Sequence, residues 1–391
     1  MALTFILLTV FIDMLGLGLL IPVIPFVVRQ FSESAFTVGL LSMSFALFQF
    51  VAAPILGRLS DRYGRRPLLL FSLFGSAIGY VLFGLAHSLA MLFVARIVDG
   101  ISGGNVSIAQ AYIADVTEPQ HRSRNFGMLG AAFGLGFIVG PAVGGTLSHF
   151  WGLSAPAFFA AALALANTAL GFFVLPETRP VEKRTHTPMT FRSLNPIGGV
   201  LRGMRHEHLG PVFLAIFAFN IAFSGLQSNF SLFTLARFGW GPQENAALFV
   251  VIGVTSAITQ AVIVRRIVQT YRDQSIALVG LVIQSATYLF TAFVPAAWML
   301  YVSQAVMSFG VGISTPTLSG IVSNSVSDQE QGVMLGTTQS VTALTRIVGP
   351  LWAGFVFDWL GPGAPYWSGA IFIAVAAVLI MGAKPRRHQH A

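Results

Sequence analysis

The sequence predicts an all-α membrane protein with twelve transmembrane helices, and its composition is the first observation behind that fold class. Hydrophobic residues make up 55% of the 391 positions, and only 9% of the positions are charged. A soluble chain needs roughly a quarter of its residues charged to cover its surface with water-compatible groups. We therefore expect lipid, rather than water, to face most of this protein.

The second observation is a series of twelve apolar segments, each long enough to cross a hydrocarbon core of about 30 Å as a tilted helix. The chain also contains 40 glycines and 19 prolines, many of them inside these segments. Membrane helices tolerate both residues because neighbouring helices satisfy the freed backbone groups. The expected segments are 3–28, 36–56, 68–86, 89–114, 125–147, 155–176, 209–235, 243–264, 275–294, 297–322, 332–356 and 364–383.

The third observation is the distribution of Lys and Arg, which fixes the expected orientation. Only Arg29 and Arg237 fall in loops on one side, and Arg96 and Arg346 lie inside segments. The other eighteen share the opposite side: Arg58, Arg62, Arg65, Arg66, Arg122, Arg124, Arg179, Lys183, Arg184, Arg192, Arg202, Arg205, Arg265, Arg266, Arg272, Lys384, Arg386 and Arg387. The positive-inside rule then places both termini in the cytoplasm. It also accounts for the net charge of +8 without a nucleic-acid partner.

The first segment and the missing cysteines limit the alternatives further. The N-terminus MALTFILLTVF has no basic region and no small-residue cleavage site, and Asp13 interrupts its apolar run. We therefore expect a retained first span rather than a signal peptide. Without any cysteine, disulfides and cysteine metal sites are excluded.

An internal repeat predicts two similar bundles. A constant shift of 209 residues, with no gap, aligns the fifth and sixth segments with the eleventh and twelfth. The aligned pairs are Gly127 with Gly336, Ile138–Pro141 with Ile347–Pro350, Gly145 with Gly354, Gly152 with Gly361, and Pro156 with Pro365. We expect a six-helix bundle over 1–176, a cytoplasmic linker over 177–208 with a short helix near 195–205, and a second bundle with a short tail over 209–391. Two such halves around a central cavity suit alternating access.

The most charged stretch of the chain lies between the second and third segments. It has the form G-x-L-x-D-R-x-G-R-R and resembles motif A of the major facilitator superfamily. The resemblance implies a cytoplasmic latch, in which the aspartate interacts with a helix N-terminus and with arginine. Charges that only fix topology are the alternative. The expected latch residues are Gly57, Asp61, Arg62, Gly64, Arg65, Arg66 and Asp115. The corresponding stretch of the second half, Arg265–Asp273, is degenerate, so only half a latch is expected.

Three more stretches extend this resemblance to the twelve-span drug/proton antiporters, and to tetracycline efflux proteins among them. Phe11–Pro25 resembles their first-span signature, and Arg96–Gly100 resembles motif B, whose arginine is linked to proton transfer. Gly136–Gly145 resembles the antiporter motif C, with Gly136, Gly140, Pro141, Gly144 and Gly145 at its small positions. The resemblance implies the major facilitator fold and export of drugs in exchange for protons.

The charges inside the apolar segments are the candidates for proton coupling. Buried charges are costly in lipid and usually face a bundle interior with a role in transport. At 1.5 Å per residue, Asp13, Arg96 and Asp99 all fall near mid-depth. We predict that Asp13 is the first candidate proton carrier, Asp99 the second, and that Arg96 modulates their proton affinity. A static ion pair that holds the first bundle together is the alternative.

Polar residues on the apolar segments are the candidates for contact with a substrate. Arg346 has no obvious acidic partner in its own half, so it is expected to contact an anionic or chelating substrate, to pair across the halves, or to reach toward the outer surface. Helix-to-helix hydrogen bonds are the alternative for many of the others. The substrate candidates are Gln49, Asn105, Asn220, Gln227, Gln260, Gln304, Gln339 and Arg346.

The sequence thus predicts a transporter and not an enzyme. It contains no HExxH, no P-loop and no GxSxG motif, and no cofactor or metal is expected. We expect a monomeric, proton-coupled antiporter of the bacterial cytoplasmic membrane that exports amphipathic small molecules. Tetracycline-like drugs are one candidate class among them. A sugar or metabolite exporter or facilitator on the same fold is the alternative.

Overall fold

Twelve helical segments that are long and apolar enough to span a membrane make up most of the chain, as predicted. The computed structural model describes residues 2–118, 121–180, 182, 184, 197–205, 208–326 and 328–383, and these form helices joined by short turns. Spans 1 to 12 are Leu3–Arg29, Ala35–Tyr63, Arg65–Gly84, Leu89–Val116, Asn125–Trp151, Ala155–Val174, Gly210–Phe238, Pro242–Thr270, Asp273–Ala292, Trp298–Asn324, Val333–Leu360 and Ala364–Gly382.

Several spans extend beyond their apolar cores. Span 2 was expected to end at residue 56 but continues through Arg58 and Asp61 to Tyr63, and span 8 continues to Thr270. Backbone hydrogen bonding, rather than lipid contact, sets a helix end, and long basic side chains reach the interface from a helix that protrudes from the bilayer. A short helix, Ile197–Met204, precedes span 7. We call the side that carries Arg58–Arg66 the basic side.

Three spans are interrupted at defined positions. In span 1 the α-helix ends at Leu20, and a turn that contains Pro22 leads to a second short helix from Ile24. In span 4 the helix breaks at Gly103 and Gly104, and restarts at Asn105. Span 8 passes through a π-helix at Thr259–Val264. Broken helices leave backbone groups and side chains at mid-membrane depth, where transporters commonly bind their ligands.

The chain divides into two compact units, and each unit includes a short segment from the other half of the sequence. The first unit comprises Met1–Glu33, Leu41–Leu194 and Gly241–Val250, and the second comprises Ser34–Leu40, Asn195–Trp240 and Val251–Ala391. The shift of 209 residues that relates the two halves places the segment Ser34–Leu40 inside Gly241–Val250. The start of span 2 and the start of span 8 are therefore equivalent positions of the repeat.

Small residues let spans 1 and 5 approach each other closely in the first unit. A Cβ atom on Gly140 would lie 2.7 Å from Gly18 Cα, and one on Gly136 would lie 2.6 Å from Met14 Cβ. In the second unit a Cβ on Gly349, the repeat equivalent of Gly140, would lie 2.7 Å from the Ile221 carbonyl oxygen of span 7. The repeated Ile-Val-Gly-Pro stretch therefore makes equivalent contacts in both units, as expected for small-residue helix packing.

The two exchanged segments also pack on equivalent glycines. A Cβ on Gly145 would lie 2.7 Å from the Pro242 carbonyl oxygen, and one on Gly354 would lie 2.7 Å from Phe36 Cα. In the second unit span 11 also supplies a carboxylate cap there. Asp358 accepts hydrogen bonds from Ser34 Oγ (2.6 Å) and from the backbone N–H groups of Ala35 (2.8 Å) and Phe36 (3.0 Å). A carboxylate at a helix N-terminus satisfies free N–H groups and is favoured by the helix dipole.

Some residues that the sequence assigned to the basic side lie outside the described residues. They include residues 185–196 of the expected linker and the following side chains: Lys183, Arg192, Lys384, Arg386 and Arg387.

Candidate functional site

A buried ion pair lies in span 4, within the helix Leu89–Ser102 that precedes the break. Arg96 and Asp99 are three residues apart and therefore share one helix face. Arg96 Nη1 donates to Asp99 Oδ2 over 2.9 Å, and the two residues are only 6% and 2% exposed. The guanidinium also lies 4.1 Å from the ring centroid of Phe45 in span 2, a cation–π contact. The cation of motif B is thus compensated within the first unit.

Span 3 supplies the rest of the environment of Asp99. Ser76 is a hydrogen-bond partner of the Asp99 carboxylate. Gly79, one turn away, brings the backbone of span 3 against Asp99, because a Cβ there would lie 2.8 Å from Asp99 Cβ. Tyr80 is buried beside both Asp99 and Asp13. Neither Ser76 nor Tyr80 was predicted, since a hydroxyl inside an apolar span gives no local signal.

Asp13 is held differently from Asp99. The side-chain hydrogen-bond partner of its carboxylate is Asn105, a neutral amide that lies directly after the break in span 4. Asp13 is half-buried and forms no ion pair with any residue that the structure describes. Asp99 is near enough to act on it electrostatically. The site therefore contains one acid paired with a cation and a second acid without one.

Arg65 is the centre of a second cluster, at the basic side of the first unit. Its side chain is almost fully buried and pairs with Asp61 (2.7 Å) and with Asp115 (3.0 Å). It also donates to Ser60 Oγ over 2.6 Å. Asp61 has a second cation, Arg179, at 2.8 Å. Spans 2, 3 and 4 and the segment after span 6 are thereby joined by one network of ion pairs.

The remaining expected latch residues lie around this network. Gly57 is close to span 4, since a Cβ on it would lie 3.7 Å from Ser107 Oγ. Arg62 lies over the ring of Tyr63. Arg66 donates to the carbonyl oxygen of Phe172 and lies over its ring.

Glu177 is a member of the second cluster that sequence reasoning missed. Its carboxylate accepts hydrogen bonds from the backbone N–H groups of Arg65 (2.9 Å), Arg66 (3.3 Å) and Arg179 (2.9 Å). It therefore caps the N-terminus of span 3, which follows Gly64 in a conformation (φ 108°) that favours glycine. The signal that could have identified Glu177 is its position directly after span 6, level with the start of span 3.

The cap supplied by Glu177 leads to a stability prediction. In a Glu177→Ala variant the first turn of span 3 loses its carboxylate, and we expect the free energy of unfolding to fall by about 1 kcal/mol. Thermal unfolding of the purified protein in detergent would measure the loss as a lower Tm. Glu182→Ala is the matched control, because Glu182 is an exposed acid five residues further along. Equal Tm values for the two variants would contradict the cap.

The polar candidates separate by exposure. Asn105 and Gln304 are buried, and Gln304 donates to Thr291 Oγ1 over 3.4 Å inside the second unit. Gln49 donates to the Gly103 carbonyl oxygen at the break in span 4 (2.9 Å), and Asn220 donates to its own helix (2.8 Å). Gln227 is half-buried. Gln260, in the π-helix, and Gln339 are exposed.

Arg346 lies at the centre of span 11, and its side chain is exposed. At about 100° per residue, Arg346 shares a helix face with Gln339, two turns away. Among the exposed apolar residues of the span, Val348, Phe355 and Trp359 lie on the opposite face, as expected for a lipid-facing surface, and Leu335 and Leu360 lie toward the two ends of the face that carries Arg346. Arg346 therefore points away from the face that Val348, Phe355 and Trp359 give to lipid.

An all-helical protein with twelve spans, a repeated six-helix pattern and charges at mid-membrane depth belongs to the class of secondary membrane transporters. The model of the Major Facilitator Superfamily matches residues 6–295 and 238–391. The chain belongs to this superfamily, whose members are transporters and not enzymes, and it is an integral membrane protein.

Similarity to individual transport proteins supports this assignment. The chain is 33% identical over 383 residues to the class C tetracycline resistance protein of Escherichia coli, covering 97% of this chain and 95% of that one. It is 29% identical over 384 residues to multidrug resistance protein 2 of Bacillus subtilis, covering 98% and 95%. The crystal structure of the human organic anion transporter MFSD10 superposes with a TM-score of 0.73 at 28% identity, covering 97% and 98%.

Proposed function

We propose that this protein is a proton-coupled antiporter that exports amphipathic small molecules by alternating access. The observation that carries the proposal is Asp13, a half-buried acid inside span 1 that has no cationic partner among the described residues and lies next to the Arg96–Asp99 pair. An acid at this depth costs free energy, and such residues are usually retained because they act in transport.

The proposed mechanism uses the two acids, Asp99 and Asp13, that lie near the guanidinium of Arg96. A carboxylate releases its proton when a guanidinium approaches and takes one up when the guanidinium withdraws. Arg96 is held by Asp99, and Asp13 lies close to the same pair. A change of conformation that moves Arg96 between the two acids would transfer proton affinity from one to the other. Protons enter from outside, bind Asp13, and leave toward the cytoplasm as the substrate moves outward.

The names of the relatives support export of drug-like substrates. Two of them are resistance proteins, one for tetracycline and one for several drugs. The third is a human organic anion transporter. We propose a bacterial cytoplasmic membrane as its location, in line with its bacterial relatives. The distribution of basic residues supports both termini on the cytoplasmic side. We propose that it acts as a monomer, with protons, membrane lipids and the substrate as its partners.

The latch cluster has a place in the same proposal. The residues Asp61, Arg65 and Asp115 form ion pairs on the basic side, and Glu177 and Arg179 join the segment after span 6 to them. We propose that this network holds one conformation of the transport cycle and opens in another.

Efflux from a pump-deleted bacterial host tests the function. Cells that produce the protein are expected to accumulate less of its substrates, from a panel of amphipathic drugs that includes tetracycline, than cells with the empty vector. An uncoupler that collapses the proton gradient should abolish this difference. Export that persists after the gradient has collapsed would instead favour the facilitator, and the absence of export for every drug would favour a sugar or metabolite substrate.

A further inference from the structure

Arg346 differs from the other charged residues of spans 7–12 in its depth. The remaining Asp, Glu, Lys and Arg residues of those spans lie within about two turns of a span end, where they can reach water. Arg346 lies at the middle of span 11, so its guanidinium cannot reach either interface by a simple extension of the side chain. The position is therefore costly unless something compensates the charge.

No such compensation is found within the described part of the chain. Arg346 has neither a hydrogen bond nor an ion pair with any described residue, whereas Arg96, the cation inside span 4, pairs with Asp99 at 2.9 Å. An arginine with a purely structural role in a membrane bundle would have an acidic partner, as Arg96 has in Asp99. The partner of Arg346 is thus expected to come from outside the chain.

The residues that follow Arg346 along span 11 pack against other spans of the second unit. Gly349, three residues on, packs against span 7, and Pro350, four residues on, packs against Gly39 of span 2. The side chain of Arg346 lies on the helix face between these two contacts, opposite Val348 and Phe355. Gln339 and Thr342 occupy the same face toward the basic side and add an amide and a hydroxyl.

We propose that Arg346 binds an anionic group of the transported molecule and thereby gives the protein a preference for amphipathic organic acids. The inference rests on the proposed transport function and names the substrate class of that site. A guanidinium offers two parallel N–H donors that match a carboxylate or a sulfonate. The uncharged part of such a substrate would be an aromatic or aliphatic body.

Equilibrium binding to the purified protein in nanodiscs tests this preference without any proton gradient. The probes are tritiated 2-naphthoate and 2-naphthamide, which share one ring system and differ in charge. The variants are Arg346→Gln, which removes the charge, and Arg346→Lys, which keeps it. Arg237→Gln is the matched control, since Arg237 is an exposed arginine at the end of span 7. Monodisperse elution and an unchanged Tm show that each variant is folded.

We expect the wild-type protein to bind the acid more tightly than the amide. Arg346→Gln should weaken binding of the acid by about tenfold or more and leave the amide unchanged, because a charge-assisted hydrogen bond is lost. Arg346→Lys should recover part of the affinity, and Arg237→Gln should match the wild type. A wild-type protein without preference for the acid, or an equal loss for both probes in Arg346→Gln, would overturn the proposal.

The same preparations separate this inference from the transport mechanism. An Asp13→Asn variant that binds 2-naphthoate normally but does not transport would show that the anion site stands when coupling is lost. If the protein exports drugs in a proton-coupled way but its affinity for the acid does not depend on Arg346, the transport function stands and the anion site is wrong.

Discussion

An Asp13→Asn variant is expected to reach the membrane at the normal level and to lose proton-driven substrate uptake into inside-out vesicles. Asparagine has nearly the same shape and can still hydrogen-bond Asn105, so the first unit should keep its packing. It cannot bind and release a proton, and the neighbouring Asp99 is already paired with Arg96. Uptake should therefore fall to the level of vesicles without the protein.

Two further variants make the Asp13 experiment specific. Glu33→Gln removes an exposed acid near the end of span 1 and should leave uptake unchanged. Asp99→Asn leaves Arg96 buried without its ion-pair partner, and the amount of folded protein should drop sharply, since a lost partner of a buried pair costs about 3–5 kcal/mol. Normal uptake by Asp13→Asn would remove this residue from the proton pathway.

Gly144→Ala is expected to destabilise the first unit by about 1–3 kcal/mol, the usual cost of overpacking. An added Cβ would lie 2.8 Å from Leu19 Cα and closer still to its carbonyl oxygen. Because these are backbone atoms of span 1, no side-chain rotation can relieve the clash, and the helices must separate. The Tm in detergent and the amount of folded protein after purification measure the effect.

Gly134→Ala is the matched control for Gly144→Ala. Gly134 lies in the same span, and apart from the adjacent residues and backbone of its own helix, no described atom lies within 4 Å of the position that its Cβ would take. Alanine is there a better helix former than glycine, so the Tm should stay equal or rise slightly. A similar fall in Tm for both variants would show that span 5 tolerates no added methyl group, and that close contact with span 1 is not the reason.

The spans could be predicted from sequence because a helix must keep an apolar run long enough to cross the hydrocarbon core of the bilayer. Their ends could not, since Arg58 and Asp61 continue the hydrogen bonds of span 2 beyond the apolar core. The breaks at Pro22 and at Gly103–Gly104 were also beyond prediction, because membrane helices often contain these residues without a break. The π-helix of span 8 has no pattern that marks it in the sequence.

The candidate site was predictable where charge was the signal. Asp13, Arg96 and Asp99 stand out in apolar segments, and the spacing of three places Arg96 and Asp99 on one face. The partners that bond them do not stand out, because Asn105, Ser76 and Tyr80 are ordinary in a membrane helix. The same limit applies to Gln304, which the sequence could not distinguish from an accessible glutamine, although it is buried.

The exchanged segments at the starts of spans 2 and 8 affect how the two halves of the gene could have evolved. Neither half encodes a complete compact unit, because residues 34–40 belong with the second and residues 241–250 with the first. A duplicated ancestor would therefore have been constrained at both seams at once. A mutation that replaces Gly145 or Gly354 by a larger residue would require a compensating mutation in the contacting helix, which is encoded in the other half of the gene.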